Sequence, residues 1–181
     1  DKAREYEEKA RDRLSSVDEA VGAKLKEIEE KGKTLITSLV QEGERQRKIS
    51  EGWSEGLRAA KGDNFELAAK CFGQIVAAFK FEDASVYNNW GVALVQLAKQ
   101  KDGVESEALF RASFEKYEKA VQTKSDFPEA YYNWGTALID LAKRKDGAES
   151  EGLLRASLEK LEKAIQLNPE NHDAHHNWAA A

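Results

Sequence analysis

The segment Tyr87 to Ala130 is followed at once by a second copy of itself, Tyr131 to Ala174, with 26 of 44 positions identical. A third copy opens at His175 with HHNWAAA, so Trp90, Trp134 and Trp178 mark one phase. Self-similarity at a fixed period of this length is the signature of stacked repeats. No single copy can enclose its own apolar face; neighbouring copies must share it. Of the folds open to a chain of 181 residues, this repeat leaves mainly the quasi-linear ones.

Each copy reads as two helices. In the first, Tyr87, Trp90, Ala93, Leu94 and Leu97 fall on one face of a 3.6-residue period. In the second, Phe110, Phe114, Tyr117 and Val121 do the same, and Leu154, Leu158, Leu161 and Ile165 are their counterparts. Lys101–Gly103 and Lys145–Gly147 read as stops after the first helix, since Gly takes a left-handed backbone and Lys suits a helix C-terminus. Glu105 and Glu107 are expected in the first turn of the second helix. Pro128 and Pro169 punctuate the passage to the next copy.

These residues resemble the tetratricopeptide repeat, whose first helix carries W-x2-L-G-x2-Y. The matches are Tyr87-x2-Trp90-Gly91-x2-Leu94 and Tyr131-x2-Trp134-Gly135-x2-Leu138. The family's A-x3-F of the second helix appears as Ser113-x3-Tyr117 with Ala120, and as Ser157-x3-Leu161 with Ala164 and Pro169. A divergent copy lies upstream over Trp53–Phe79, with Gly62-Asp63 at the turn and Ala68-x3-Phe72 in the second helix. Its first helix has Gly56-Leu57 in swapped order and requires a one-residue slip. The family period is 34, so each full copy here carries about ten extra residues, around Leu97–Leu109 and Leu141–Leu153. Longer helices or a larger turn should result. In the third copy Ala179 replaces the glycine. The resemblance implies an all-α, right-handed superhelical solenoid of helix-turn-helix repeats.

Residues 1–49 follow a different pattern. They contain no Pro, and Leu14, Val21, Ile28 and Leu35 keep a seven-residue step, while Lys24, Lys31 and Ser38 interrupt the other seam of a coiled coil. Glu5/Lys9, Glu27/Lys31 and Glu29/Lys33 are spaced to pair along an exposed helix. A long amphipathic helix is expected here. It would pack on the repeats, pair with another helix or form a homo-oligomer, or lie on a membrane surface. The expected organisation is therefore a helix over 1–49, a divergent repeat over 50–83, repeats over 84–127 and 128–171, and the opening helix of another over 172–181.

Composition narrows the function. The net charge of −5 lies entirely in residues 51–181, because residues 1–50 balance 12 basic against 12 acidic side chains. A nucleic-acid-binding surface needs the opposite sign, so no nucleic acid is expected as partner. No apolar run is long enough to cross a bilayer. A lone cysteine, Cys71, excludes a disulfide framework and reads as a buried small hydrophobe. It is compatible with a reducing compartment, and a cytoplasmic location is the expectation. The chain contains no Met, so a processed product or part of something longer is expected. His172 and His176 stand four apart on one helix face, but no Cys or third ligand joins them, so no metal or other cofactor is expected. Glu115, Glu118, Glu159 and Glu162 alternate with Lys as a solvated face does. No catalytic constellation or phosphate-cradling loop is present, and the chain is not expected to be an enzyme.

The candidate site is the concave surface formed by the first helices. Asn89, Asn133 and Asn177 precede each Trp. Asn in a helix interior costs propensity, and three in phase call for a reason. A ladder of such amides can grip an extended peptide backbone through donor and acceptor together; hydrogen bonding between repeats is the alternative. Repeat proteins that bind extended peptides, including the N-acetylglucosamine-adding glycosyltransferase, carry Asn at this place, and the resemblance implies the same role for these three. Asn88, Tyr132 and His176 flank the ladder, and Val92, Gln96, Thr136 and Asp140 lie one turn along. Family members that clamp a C-terminal carboxylate use Lys and Arg, whereas the equivalent slots here include Glu129 and Asp173. The sequence thus points to a scaffold holding a protein or peptide in its groove. A self-assembling structural module and the sensor arm of a larger signalling or defence protein are the alternatives, the latter suited by an array that lacks a polar cap at Ala181.

Overall fold

The structure, a computed structural model, describes residues 2–181. The described residues form seven helices: α1 (Lys2–Lys61), α2 (Phe65–Phe79), α3 (Ala84–Lys99), α4 (Gly103–Thr123), α5 (Pro128–Ala142), α6 (Gly147–Leu167) and α7 (His172–Ala180). They fall into two units, residues 2–47 and residues 48–181.

Within residues 2–47 the helix has no buried side chain. Leu14, Val21, Ile28 and Leu35 of the heptad are all more than half exposed, from 52% at Val21 to 64% at Leu14. The three anticipated pairs form: Lys9–Glu5 at 2.6 Å, Lys31–Glu27 at 2.6 Å and Lys33–Glu29 at 2.9 Å. Exposed pairs of this i,i+4 kind add little to stability. Helix α1 runs past residue 49 without interruption to Lys61.

Within residues 48–181 successive helices pack in hairpins. The C-terminal turns of α1 pair with α2, α3 with α4, and α5 with α6; α4 then meets α5, and α6 meets α7. The first helices of consecutive hairpins also touch, α3 against α5. Three glycines set the pitch. A Cβ on Gly56 would lie 2.8 Å from the Phe72 ring, one on Gly91 2.7 Å from Tyr117, and one on Gly135 2.7 Å from Leu161. Only a residue without a side chain lets the second helix press its large residue that close. This correspondence corrects the register of the first hairpin: Gly56 takes the glycine position directly, with no slip.

The same glycines locate the extra residues. Phe72 follows Gly56 by 16 positions, whereas Tyr117 follows Gly91 and Leu161 follows Gly135 by 26. The first hairpin therefore has the shorter spacing, and the later two place ten more residues between the same contacts. Those residues lengthen helices: α4 and α6 each have 21 residues, against 15 in α2. The connecting turn stays short. Gly103 and Gly147 adopt left-handed backbones at φ +57° and +56°, but they open α4 and α6 rather than closing the preceding helices, which end on right-handed caps at Gln100 and Lys143. Ser106 Oγ donates to Ala98 O at 2.8 Å, and its counterpart Ser150 Oγ donates to Ala142 O at 2.9 Å, tying the two helices of each hairpin. Glu105 lies in the first turn of α4; Glu107 lies beyond it, for a reason given below.

Phe72, Phe110, Tyr117 and Leu161 are essentially sealed from solvent. Ser113 and Ser157 stand at the small-residue position and are also fully buried. Their hydroxyls bond Phe110 O at 2.6 Å and Leu154 O at 2.7 Å, so a polar atom enters the core with its partner. Trp53 meets Phe72 edge-on with centroids 5.7 Å apart.

Candidate functional site

The Asn residues sit two positions before the packing glycines, on the first helices. The structure connects them from hairpin to hairpin. Asn133 Nδ2 donates to Asn88 Oδ1 at 3.0 Å, and Asn177 Nδ2 donates to Thr136 Oγ1 at 3.2 Å and to Tyr132 OH at 3.4 Å. Asn88 is buried, while Asn89, Asn133, Asn177, Tyr132 and Thr136 are partly exposed. Two of the three ladder amides thus spend a donor between repeats. The amide of Asn89 makes no hydrogen bond among the described residues.

One turn along, Val92 and Gln96 are partly exposed. Asp140 lies 2.8 Å from Lys99 Nζ as an ion pair across the repeats, without the alignment of a hydrogen bond. Burial, and secondarily the charge of Asp140, push the Tyr117 phenol far up. Tyr117 is therefore a neutral packing residue. His176, Glu129 and Asp173 are exposed.

Two features escape a reading of single motifs. Lys116 Nζ stands 4.5 Å from the Trp90 ring centre, and Lys160 Nζ stands 4.3 Å from that of Trp134. Both lysines keep the 44-residue phase, which is the signal that could have found them. The second is an ionic cluster built by the ten extra residues. Glu107 of α4 accepts from Lys145 and from Arg111 Nε at 2.9 Å; Arg111 reaches Glu149 at 3.1 Å, and Lys145 reaches Glu149 at 3.3 Å. Arg144 donates to Lys101 O at 3.1 Å and to Ser106 Oγ at 3.0 Å, and its guanidinium covers Phe110 at 5.6 Å. Hydrogen bonds from Lys145 and then Arg111 hold the Glu107 carboxyl below its ordinary range, and Glu107 in turn raises Lys145. The position of Glu107 in the second turn of α4 serves this bridge to the next hairpin.

Cys71 is buried, and desolvation pushes its thiol up, so it behaves as a small apolar side chain. His175 Nε2 lies 3.0 Å from Pro169 O, and His172 is exposed. Among the described residues no group of His, Cys, Asp and Glu is arranged to hold a metal ion, and no helix is long and apolar enough to cross a membrane.

Similar architectures occur in solved structures. The TPR domain of Arabidopsis OM64 is 18% identical, with a TM-score of 0.60 over 75% of this chain and 95% of that one. The second TPR domain of human RPAP3, in complex with the HSP70 peptide SGPTIEEVD, is 17% identical, with a TM-score of 0.59 over 75% and 96%. Yeast Sti1 TPR2B, in an Hsp70 complex, is 20% identical, with a TM-score of 0.57 over 74% and 94%. Residues 48–181 share the fold of these tetratricopeptide-repeat domains. Within the array, residues 125–181 match the model of the family described as plant specific mitochondrial import receptor subunit TOM20. No curated protein matches the chain.

The all-helical repeat expected from the sequence is the observed fold class, and the first helices α3 and α5 touch. Asn133 of α5 is joined to Asn88 of α3, and Asn177 of α7 to Tyr132 and Thr136 of α5.

Proposed function

We propose that this chain is a non-enzymatic interaction module that holds an extended segment of a partner protein in the groove of its tetratricopeptide-repeat array. The line of partly exposed polar side chains from Asn89 to Asn177 carries the reading, because helix-interior amides in repeat phase offer backbone-like bonding along one side. The peptide complexes of human RPAP3 and yeast Sti1 support it. The slots of Glu129 and Asp173 argue against an acidic C-terminal peptide such as SGPTIEEVD, which would meet like charge there. The match over residues 125–181 supports a place for this interaction in mitochondrial import, which refines the expected cytoplasmic location. Fractionation of cells expressing the tagged chain tests that placement: recovery with mitochondria supports it, and absence from them removes it.

A photo-crosslinking residue tests the groove itself. Placed at Gln96, it should capture a partner from native lysate; placed at the exposed Glu162 of α6, it should not. Equal capture from both positions would remove the groove reading.

A second reading is favoured by the exposed stripe of Leu14, Val21, Ile28 and Leu35: a structural module that self-associates through α1. Light scattering decides it, since a monomer at every concentration would exclude self-association.

A further inference from the structure

The large apolar side chains from Leu14 to Val40 are all more than half exposed. A seven-residue step captures Leu14, Val21, Ile28 and Leu35 but leaves Lys24 and Lys31 on its second seam. An eleven-residue step removes that conflict. Leu14, Leu25 and Ile36 keep it, and so do Val17, Ile28 and Leu39. Ala10, Val21 and Gly32 form a third column, all small or apolar. Eleven residues close three helical turns, so the three columns stay in line and span only about 65° of the circumference. Lys31 and Ser38 then lie off the stripe, and Lys24 lies at its edge.

The two edges of this stripe carry opposite charge. One position before the Leu14 column stand Lys2, Arg13, Lys24 and then Leu35. Four positions after it stand Glu7, Asp18, Glu29 and then Val40. In a parallel pair of helices, a residue on one edge meets the partner's opposite edge about five positions further on, and such contacts set partner and direction. That offset joins Lys2 to Glu7, Arg13 to Asp18 and Lys24 to Glu29. The fourth contact, Leu35 to Val40, turns apolar on both edges together. An antiparallel pair would set each edge against its own sign. Arg13 and Asp18 make no ion pair among the described residues, and Lys24 and Glu29 pair within their own helix only through exposed contacts with Glu27 and Lys33, which cost little to exchange. A helix lying on a membrane has a broad apolar face and a strongly basic polar face; this stripe is narrow and one flank is acidic.

We propose that residues 2–43 pair with the same residues of a second copy of this chain, as a parallel, in-register, two-stranded coiled coil with the right-handed supercoil of an eleven-residue repeat. The proposal rests on the self-association reading of α1 and assigns its partner, direction and register. Both chains leave the pair at the same end, so each pair carries two repeat arrays.

Sedimentation equilibrium of the full chain should give twice the chain mass at high concentration and the single mass on dilution. A mass three or four times that of the chain would overturn the two-stranded form. Direction is read by cysteine linkage in a Cys71→Ala background. Ala10→Cys should link to itself on mild oxidation, and Ser16→Cys, on the opposite side of the helix, should not. Failure of Ala10→Cys to link in a chain that still pairs would overturn the parallel register while leaving self-association standing. The edges are tested by charge reversal. Arg13→Glu with Lys24→Glu should weaken pairing roughly tenfold or more, and Asp18→Lys with Glu29→Lys should do the same. Mixing the two double variants should restore pairing, because every edge contact is then between opposite charges. No loss on reversal, or no rescue on mixing, would overturn the charge register. A monomer at every concentration would remove the self-association reading and this pairing together. Binding of such a monomer to vesicles of anionic phospholipid would assign the stripe to a membrane surface instead.

Discussion

Glycines stand in helix interiors in both residues 2–47 and residues 48–181, and their surroundings differ completely. A side chain added at Gly22, Gly32 or Gly43 would meet nothing within 4 Å. One added at Gly56, Gly91 or Gly135 would strike Phe72, Tyr117 or Leu161 at under 3 Å. In the first region a glycine only weakens a helix; in the second it sets how closely two helices approach. The apolar residues divide in the same way. Leu14, Leu25 and Ile28 keep helical periodicity in solvent, while Phe110 and Tyr117 keep it in a shared core. Periodicity alone states that a face exists; only the repeat supplies a surface to cover it.

The largest test of that contrast is truncation. Phe72→Ala or Tyr117→Ala should destabilise the array by about 3–5 kcal/mol through lost burial and an unfilled cavity. Leu25→Ala should change stability by no more than about 0.5 kcal/mol. Chemical denaturation reads both, and a comparable loss for Leu25→Ala would erase the distinction.

A smaller effect is expected from adding one methyl group. Gly91→Ala must displace the sealed Tyr117 ring, which costs about 1–3 kcal/mol and is only partly offset by about 1 kcal/mol of helix propensity. The measured change should be destabilising.

The ionic cluster sharpens the comparison between the first hairpin and the later two. The folded-state Glu107 carboxyl lies below its ordinary value, so its stabilising contribution is present above the unfolded value and disappears as pH falls through the folded one. The midpoint difference between wild type and Glu107→Gln should be clear at neutral pH and close toward zero in acid below the usual carboxylate range. High salt should narrow it as well. A difference that persists in acid would show that the cluster acts through packing instead of charge.

The smallest expected change is Gly32→Ala, which should stabilise its helix by about 0.5–1 kcal/mol, read as increased far-ultraviolet helicity.

The fold was legible because the 44-residue repeat states it twice over and because glycine, small and large positions recur at fixed offsets. The register of the first hairpin was not, because Trp53 and Gly56 stand three apart while Trp90 and Gly91 are adjacent; the trustworthy marker was the glycine facing the second helix, which only packing reveals. Asn89, Asn133 and Asn177 look identical in the sequence. What separates them is the bonded neighbour one repeat earlier, Asn88 for the second and Tyr132 and Thr136 for the third. The extra residues gave no hint of purpose because Glu107, Arg111, Lys145 and Glu149 belong to two copies and meet only when these stack.

Amide hydrogen exchange on the full chain at low concentration tests most directly whether the array carries the folded core and the N-terminal helix does not. Amides of α2 through α6 should exchange slowly, at rates that follow global unfolding, and those of residues 2–47 should exchange fast. Protection of Leu14 to Val40 equal to that around Tyr117 would show that the stripe is covered, and would contradict the account.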